Sequence, residues 1–120
     1  MYSAAVLDHF KNPRNVGELS DATAVVEVSN PACGDVMQLS VRVDGEQILA
    51  AAFRTRGCVT AIACGSVLTE MLVGKTVEQA RAILPTTIAE ALGGLPPATF
   101  HGSQLACDAL EALLLKLNQS

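Results

Sequence analysis

The hydrophobic period of this chain changes once, near residue 58, and that change limits the fold more than any other feature. Before it the period is two. Residues 37–43 (MQLSVRV) set Met37, Leu39, Val41 and Val43 against Gln38, Ser40 and Arg42, the alternation of a strand with one buried face. Residues 23–29 (TAVVEVS) are Val-rich and β-branched. Residues 47–55 return as a third strand after Asp44-Gly45, a pair that tolerates the positive φ of a tight hairpin turn. From Thr60 the spacing is helical, with Ile62, Val67, Leu68, Met71 and Leu72 followed by Gly74 as a stop. Strands first and helices after them predict an α+β fold, a three-stranded antiparallel sheet with helices packed on one face.

The remaining elements are short. Tyr2, Val6 and Phe10 lie at four-residue spacing on one side of a helix that Asn12-Pro13-Arg14-Asn15 breaks. Thr76-Val77-Glu78-Gln79 reads as a capping box opening a helix through Leu84. Pro85 is expected to end that helix, with a further short one over 86–92. Gly93-Gly94-Leu95-Pro96-Pro97 is expected as a loop. Residues 103–117 form the last helix, with Leu105, Ala109, Leu113 and Leu117 in one row. Aromatic residues are only 3% of the chain and half its residues are apolar, so Ala, Val, Leu and Ile must build the core. A length of 120 residues fits one domain, residues 1–120.

Charge excludes some partners. The formal net charge is −4 and the basic residues are scattered, which argues against nucleic acid and against an anionic membrane surface. The first 15 residues lack the basic-then-apolar pattern of a signal peptide. No apolar run approaches the ~20 residues that span a bilayer. The expected location is cytoplasmic, where thiols stay reduced. There the 4 cysteines are ligands, nucleophiles or small buried apolar residues rather than disulfides.

Two of them lie at junctions between elements. Cys33 sits in Asn30-Pro31-Ala32-Cys33-Gly34-Asp35, a tight loop between strands. Cys58 follows Gly57 where the third strand gives way to a helix. Unpaired N–H groups and partial positive charge at a helix start favour an anionic ligand such as thiolate. His101 is expected directly before the last helix, after the Pro-Pro loop. Three soft or borderline metal ligands thus lie at junctions, and Asp35 offers a fourth, harder one. Cys64, inside an apolar helix, and Cys107, on the flank of the last helix, read as packing residues. None of the spacings is a short CxxC motif.

The same residues carry a resemblance. The chain resembles the IscU/NifU N-terminal family of iron–sulfur cluster assembly scaffolds nearly end to end. The matching segments are Tyr2 to Gly17, Pro31-Ala32-Cys33-Gly34-Asp35-Val36-Met37, Gly57-Cys58 with Thr60-Ala61-Ile62-Ala63, and Leu95-Pro96-Pro97. His101 with Ser103, Leu105, Ala106 and Asp108-Ala109 completes them.

The resemblance implies that Cys33 and Cys58 receive sulfur from a cysteine desulfurase and hold a transient [2Fe–2S] cluster. It also implies that His101 is a ligand and that Asp35 tunes iron entry and cluster lability. Zinc is the alternative occupant of the same ligands. Iron–sulfur acceptor proteins are implied partners, and Leu95-Pro96-Pro97 corresponds to the loop that a specialised Hsp70-type chaperone recognises. There this chain continues Ala98-Thr99, where the family's loop ends in Lys. A second departure is at the last helix, where the family's His-Cys-Ser is His101-Gly102-Ser103.

Three functions follow from these readings. The first is a scaffold or sulfur acceptor, a carrier and not an enzyme. The second is a zinc-binding adaptor or regulator of a desulfurase that assembles no clusters itself. The third is an enzyme using a Cys–His pair, with Cys33 or Cys58 as nucleophile and His101 as base.

Overall fold

A computed structural model of the chain describes residues 2–31 and 34–118. Cys33, expected as a ligand, lies outside the described residues.

The elements run α1 (Ala4–Lys11), β1 (Ala24–Ser29), β2 (Val36–Asp44), β3 (Gln47–Arg56), α2 (Val59–Leu72), α3 (Val77–Ala80), α4 (Pro85–Ala91) and α5 (His101–Asn118). A 3₁₀ turn, Pro97–Thr99, precedes α5. The three strands form one antiparallel sheet in the order β1-β2-β3. This is the α+β architecture that the change of period predicts.

The register puts Val26, Leu39 and Phe53 side by side, with Ala24, Val41 and Ala51 as the next row. Leu39, Val41 and Phe53 are fully or almost fully buried. Helix α2 packs on β3, α5 on β1 and β2, and α1 on α2. The row Leu105, Ala109 and Leu113 of α5 is buried as its spacing implies. The outer edge of β3 is partly paired with the segment after α1 and with the turn after α2, which leaves fewer free backbone groups on that edge. Asn15 O and the N–H of Gly17 bond Phe53 along β3, and Lys116 Nζ donates to Val25 O on β1. The alternation in β2 predicts Ser40 on an open face. Instead Ser40 is buried, because the segment after α1 crosses it and the N–H of Leu19 donates to its hydroxyl.

Three local expectations need correction. The helix opened by Thr76 has its full capping box but spans only Val77–Ala80. Pro85 does not end a helix; it is the first residue of α4, where its missing N–H costs no hydrogen bond. His101 is the first residue of α5 rather than the residue before it. The Pro96-Pro97 turn starts the helical course early: Ser103 N already donates to Phe100 O.

Candidate metal centre

The ends of β2, β3, α2 and α5 meet at one corner of the molecule. Asp35 closes the β1–β2 loop, where its carbonyl accepts from Asn30 N at 2.8 Å, and it leads directly into β2. Cys58 is the N-cap residue of α2, and its side chain makes no capping hydrogen bond. The thiol is therefore not used to cap the helix and turns to Asp35 and His101 instead. His101 begins α5. All three side chains point into the same space.

The distances are informative. Cys58 Sγ lies 3.5 Å from Asp35 Oδ2 and 3.7 Å from His101 Nε2. His101 Nε2 is 4.0 Å from Asp35 Oδ2. The last separation is too long for a hydrogen bond. All three are close to the edges of a coordination shell. Metal–ligand lengths of ~2.3 Å to sulfur and ~2.0–2.1 Å to nitrogen or oxygen give tetrahedral edges of about 3.6 Å from sulfur and about 3.4 Å between nitrogen and oxygen. Two edges therefore fit as they stand. The third closes by about half an ångström if the imidazole turns, and that side chain is 36% exposed. The thiol, imidazole and carboxylate suit a borderline divalent ion such as Zn²⁺ or Fe²⁺, and together they form one potential ion-binding group.

The other two cysteines are elsewhere. Cys64 is fully buried in α2, and burial pushes its thiol up to about 12. Cys107 is buried in α5, with its Sγ 3.6 Å from Ile83 O, and burial raises its pKa as well. Neither joins the corner.

Gly102 lies beside the site and explains how α5 comes so near. A Cβ at this position would sit 3.1 Å from Thr60 C and 3.2 Å from Ala61 N. The first turns of α2 and α5 thus touch backbone to backbone, which brings His101 up to Cys58.

Two features escape a reading of the sequence. In the sequence Gly57 stands out only as the neighbour of Cys58, yet a Cβ on it would overlap the Asp35 carboxylate. The only available signal is a glycine at a strand end where no turn is needed. His9 carries no motif signal at all. It is buried, and its Nδ1 lies 2.7 Å from Ser66 Oγ, while Nε2 faces Glu70 Oε1 at 3.5 Å.

Fold and corner together define a class: an α+β domain carrying a thiol–imidazole–carboxylate cluster, able to hold an ion, where sheet and helices meet. Residues 1–119 match the family described as NifU-like N terminal domain. The chain belongs to that family. It is 50% identical over 115 residues to iron-sulfur cluster assembly scaffold protein IscU 1 of Archaeoglobus fulgidus, covering 96% of this chain and 75% of that protein. Identity to the IscU scaffold protein of Escherichia coli is 47% over 117 residues, covering 94% and 91%. The fold is also that of an N-terminal NifU-like protein from Brucella abortus. That structure superposes with a TM-score of 0.81 at 18% identity, over 98% of this chain and 94% of the other. Among the described residues, no helix is long and apolar enough to cross a membrane.

Proposed function

We propose that this chain is an iron–sulfur cluster assembly scaffold. Asp35, Cys58 and His101, with Cys33 from the same loop as Asp35, hold iron and the growing cluster. The observation that supports this most is the convergence of Cys58 Sγ, His101 Nε2 and Asp35 Oδ2 within 4.0 Å of one another from three separated parts of the sequence. The relatives' names point the same way.

In this reading the iron and the [2Fe–2S] unit are cargo. A thiolate at Cys33 or Cys58 attacks the outer sulfur of a persulfide on a cysteine desulfurase. That sulfur is taken up and the donor leaves as thiolate. His101 and Asp35 complete the shell, and the mixed donor set leaves the cargo labile enough to pass to acceptor proteins. The chain is then a carrier without substrate turnover, working in the reducing cytoplasm. Docking of an Hsp70-type chaperone at Leu95-Pro96-Pro97 belongs to the same reading.

The test is anaerobic reconstitution with desulfurase, cysteine, ferrous iron and a dithiol reductant, which with the iron supplies the electrons that take persulfide sulfur to sulfide. A [2Fe–2S] absorption spectrum is the expected result. Its absence, under conditions where the Escherichia coli relative gives one, contradicts the proposal.

A second reading has its own support. The three separations suit one tetrahedral ion, and with Gly102 in place of the family's cysteine and Cys107 held at Ile83 O, α5 brings no thiol to the corner. A zinc-holding adaptor of the desulfurase would need no more. Tight zinc after anoxic purification, together with failure to accept sulfur, would select it.

A further inference from the structure

We infer that Gly57 is a positioning residue of the Asp35–Cys58–His101 site, deciding whether the Asp35 carboxylate can join the ion. This rests on the reading of those three residues as ligands.

The argument is one of space. A Cβ built on Gly57 would lie 2.6 Å from Asp35 Cγ and 2.9 Å from each of its carboxylate oxygens. Glycine is not needed here for conformation, because Gly57 is not among the residues with positive φ. It is needed because the carboxylate occupies the place where a side chain would go. Asp35 is only 8% exposed, so its side chain is held in this notch beside Cys58.

The two partners in such a clash differ in stiffness. Gly57 lies between the end of β3, where Thr55 and Arg56 are paired with Met37 and Val36 of β2, and the start of α2, where Cys58 and Val59 pack against the core, so its backbone is held on both sides. Asp35 ends in a carboxylate on two rotatable bonds. A methyl group at 57 therefore displaces the carboxylate rather than the chain. Sulfur and nitrogen stay in place, and the oxygen leaves. Gly102 behaves differently: its missing Cβ faces the backbone of Thr60 and Ala61, which cannot swing aside. A substitution at 102 acts on the contact between helices, while one at 57 acts on a single ligand.

The test uses the full chain, reduced and without oxygen, with Co²⁺ alone as the probe and a chromophoric chelator as competitor. Wild type, Asp35→Ala, Gly57→Ala and the double variant are compared. Gly57→Ala and Asp35→Ala should each weaken Co²⁺ binding by about 10- to 100-fold. Both should keep the sulfur-to-cobalt charge-transfer band and alter the d–d bands in the same way. The double variant should match Asp35→Ala to within about two- to threefold, since the two changes remove the same oxygen.

Wild-type affinity and spectrum in Gly57→Ala would overturn the inference, and so would additive losses in the double variant. Should Gly57→Ala fail to fold, recovery of folding by Asp35→Ala in that background supports the clash, and no recovery refutes it. Failure of the underlying site reading looks different: Asp35→Ala and Cys58→Ser would both leave Co²⁺ binding unchanged.

Discussion

Two histidine clusters are built on helix α2, one at its start and one in its middle, from the same kinds of group. Near the start, His101 meets the Cys58 thiol and the Asp35 carboxylate. In the middle, His9 meets the Ser66 hydroxyl and the Glu70 carboxylate. The difference lies in satisfaction. Ser66 is fully buried, accepts from Arg14 N at 2.9 Å and shares a second hydrogen bond with His9 Nδ1 at 2.7 Å. Those are good hydrogen bonds, and they tie α1 and the turn after it to α2. In the other cluster the thiol makes only the long contacts of sulfur, 3.5 Å to Asp35 Oδ2 and 3.7 Å to His101 Nε2, and imidazole and carboxylate stay 4.0 Å apart, an open triangle that suits a shared ion. Close, paired polar groups hold a fold together, whereas convergent and loosely paired ones leave room for a guest.

The sharpest break of this comparison comes from exchanging the chalcogen. Cys58→Ser should weaken Zn²⁺ or Co²⁺ binding by more than about 100-fold, beyond the range typical of losing an outer-shell partner. In the same variant the ion-free chain should become slightly more stable, by up to about 1 kcal/mol, because Ser is a good N-cap where Cys58 makes no capping bond. Chelator competition and thermal melting read the two effects separately. Opposite signs mark a residue kept for its ligand chemistry.

Ser66→Ala should do the reverse. It strands Arg14 N and His9 Nδ1 in the interior and should cost about 1–3 kcal/mol of stability, measured by urea unfolding. Ion affinity of the folded protein should stay within about two- to threefold of wild type, since the clusters share no partner. A large affinity loss would mean that the two clusters are coupled.

The smallest effect is one of pH. Burial, and then the nearby Arg14, hold His9 below its ordinary value of 6.5, while Glu70 and Asp8 oppose them. The unfolded chain therefore takes up the proton more readily than the folded one. The neutral His9 contributes its full stability above about pH 6.5, and that contribution is lost as pH falls below this value. The melting temperature of the ion-free chain should drop between pH 7 and pH 5.5. His9→Gln should flatten part of that slope, and an unchanged slope would remove His9 from the explanation.

Much of this was legible in the sequence because it depends on periodicity. The alternation of β2, the Asp44-Gly45 turn and the α2 spacing fixed the order of sheet and helices. Glycines 45 and 74 take the positive φ, 63° and 91°, that their places as turn and stop require. Boundaries near proline are not legible, because Pro85 can stop one helix or start the next and only the tertiary course decides. The convergence of Asp35, Cys58 and His101 could be suspected from their places at junctions. The two glycines that permit it could not be weighed, since the value of a missing Cβ depends on what lies opposite. His9 and Ser66 are 57 residues apart, and neither carries a local pattern.

Zinc K-edge absorption of the reduced, zinc-loaded chain tests the central claim most directly, because it reads the donor atoms themselves. A shell of about four ligands is predicted, with one or two sulfurs near 2.3 Å and the remainder nitrogen or oxygen at about 2.0–2.2 Å. Cys58→Ser should remove sulfur from that shell, and His101→Ala should remove the imidazole scattering. A shell without sulfur, one made wholly of sulfur, or one unchanged in both variants would contradict a shared ion at Asp35, Cys58 and His101.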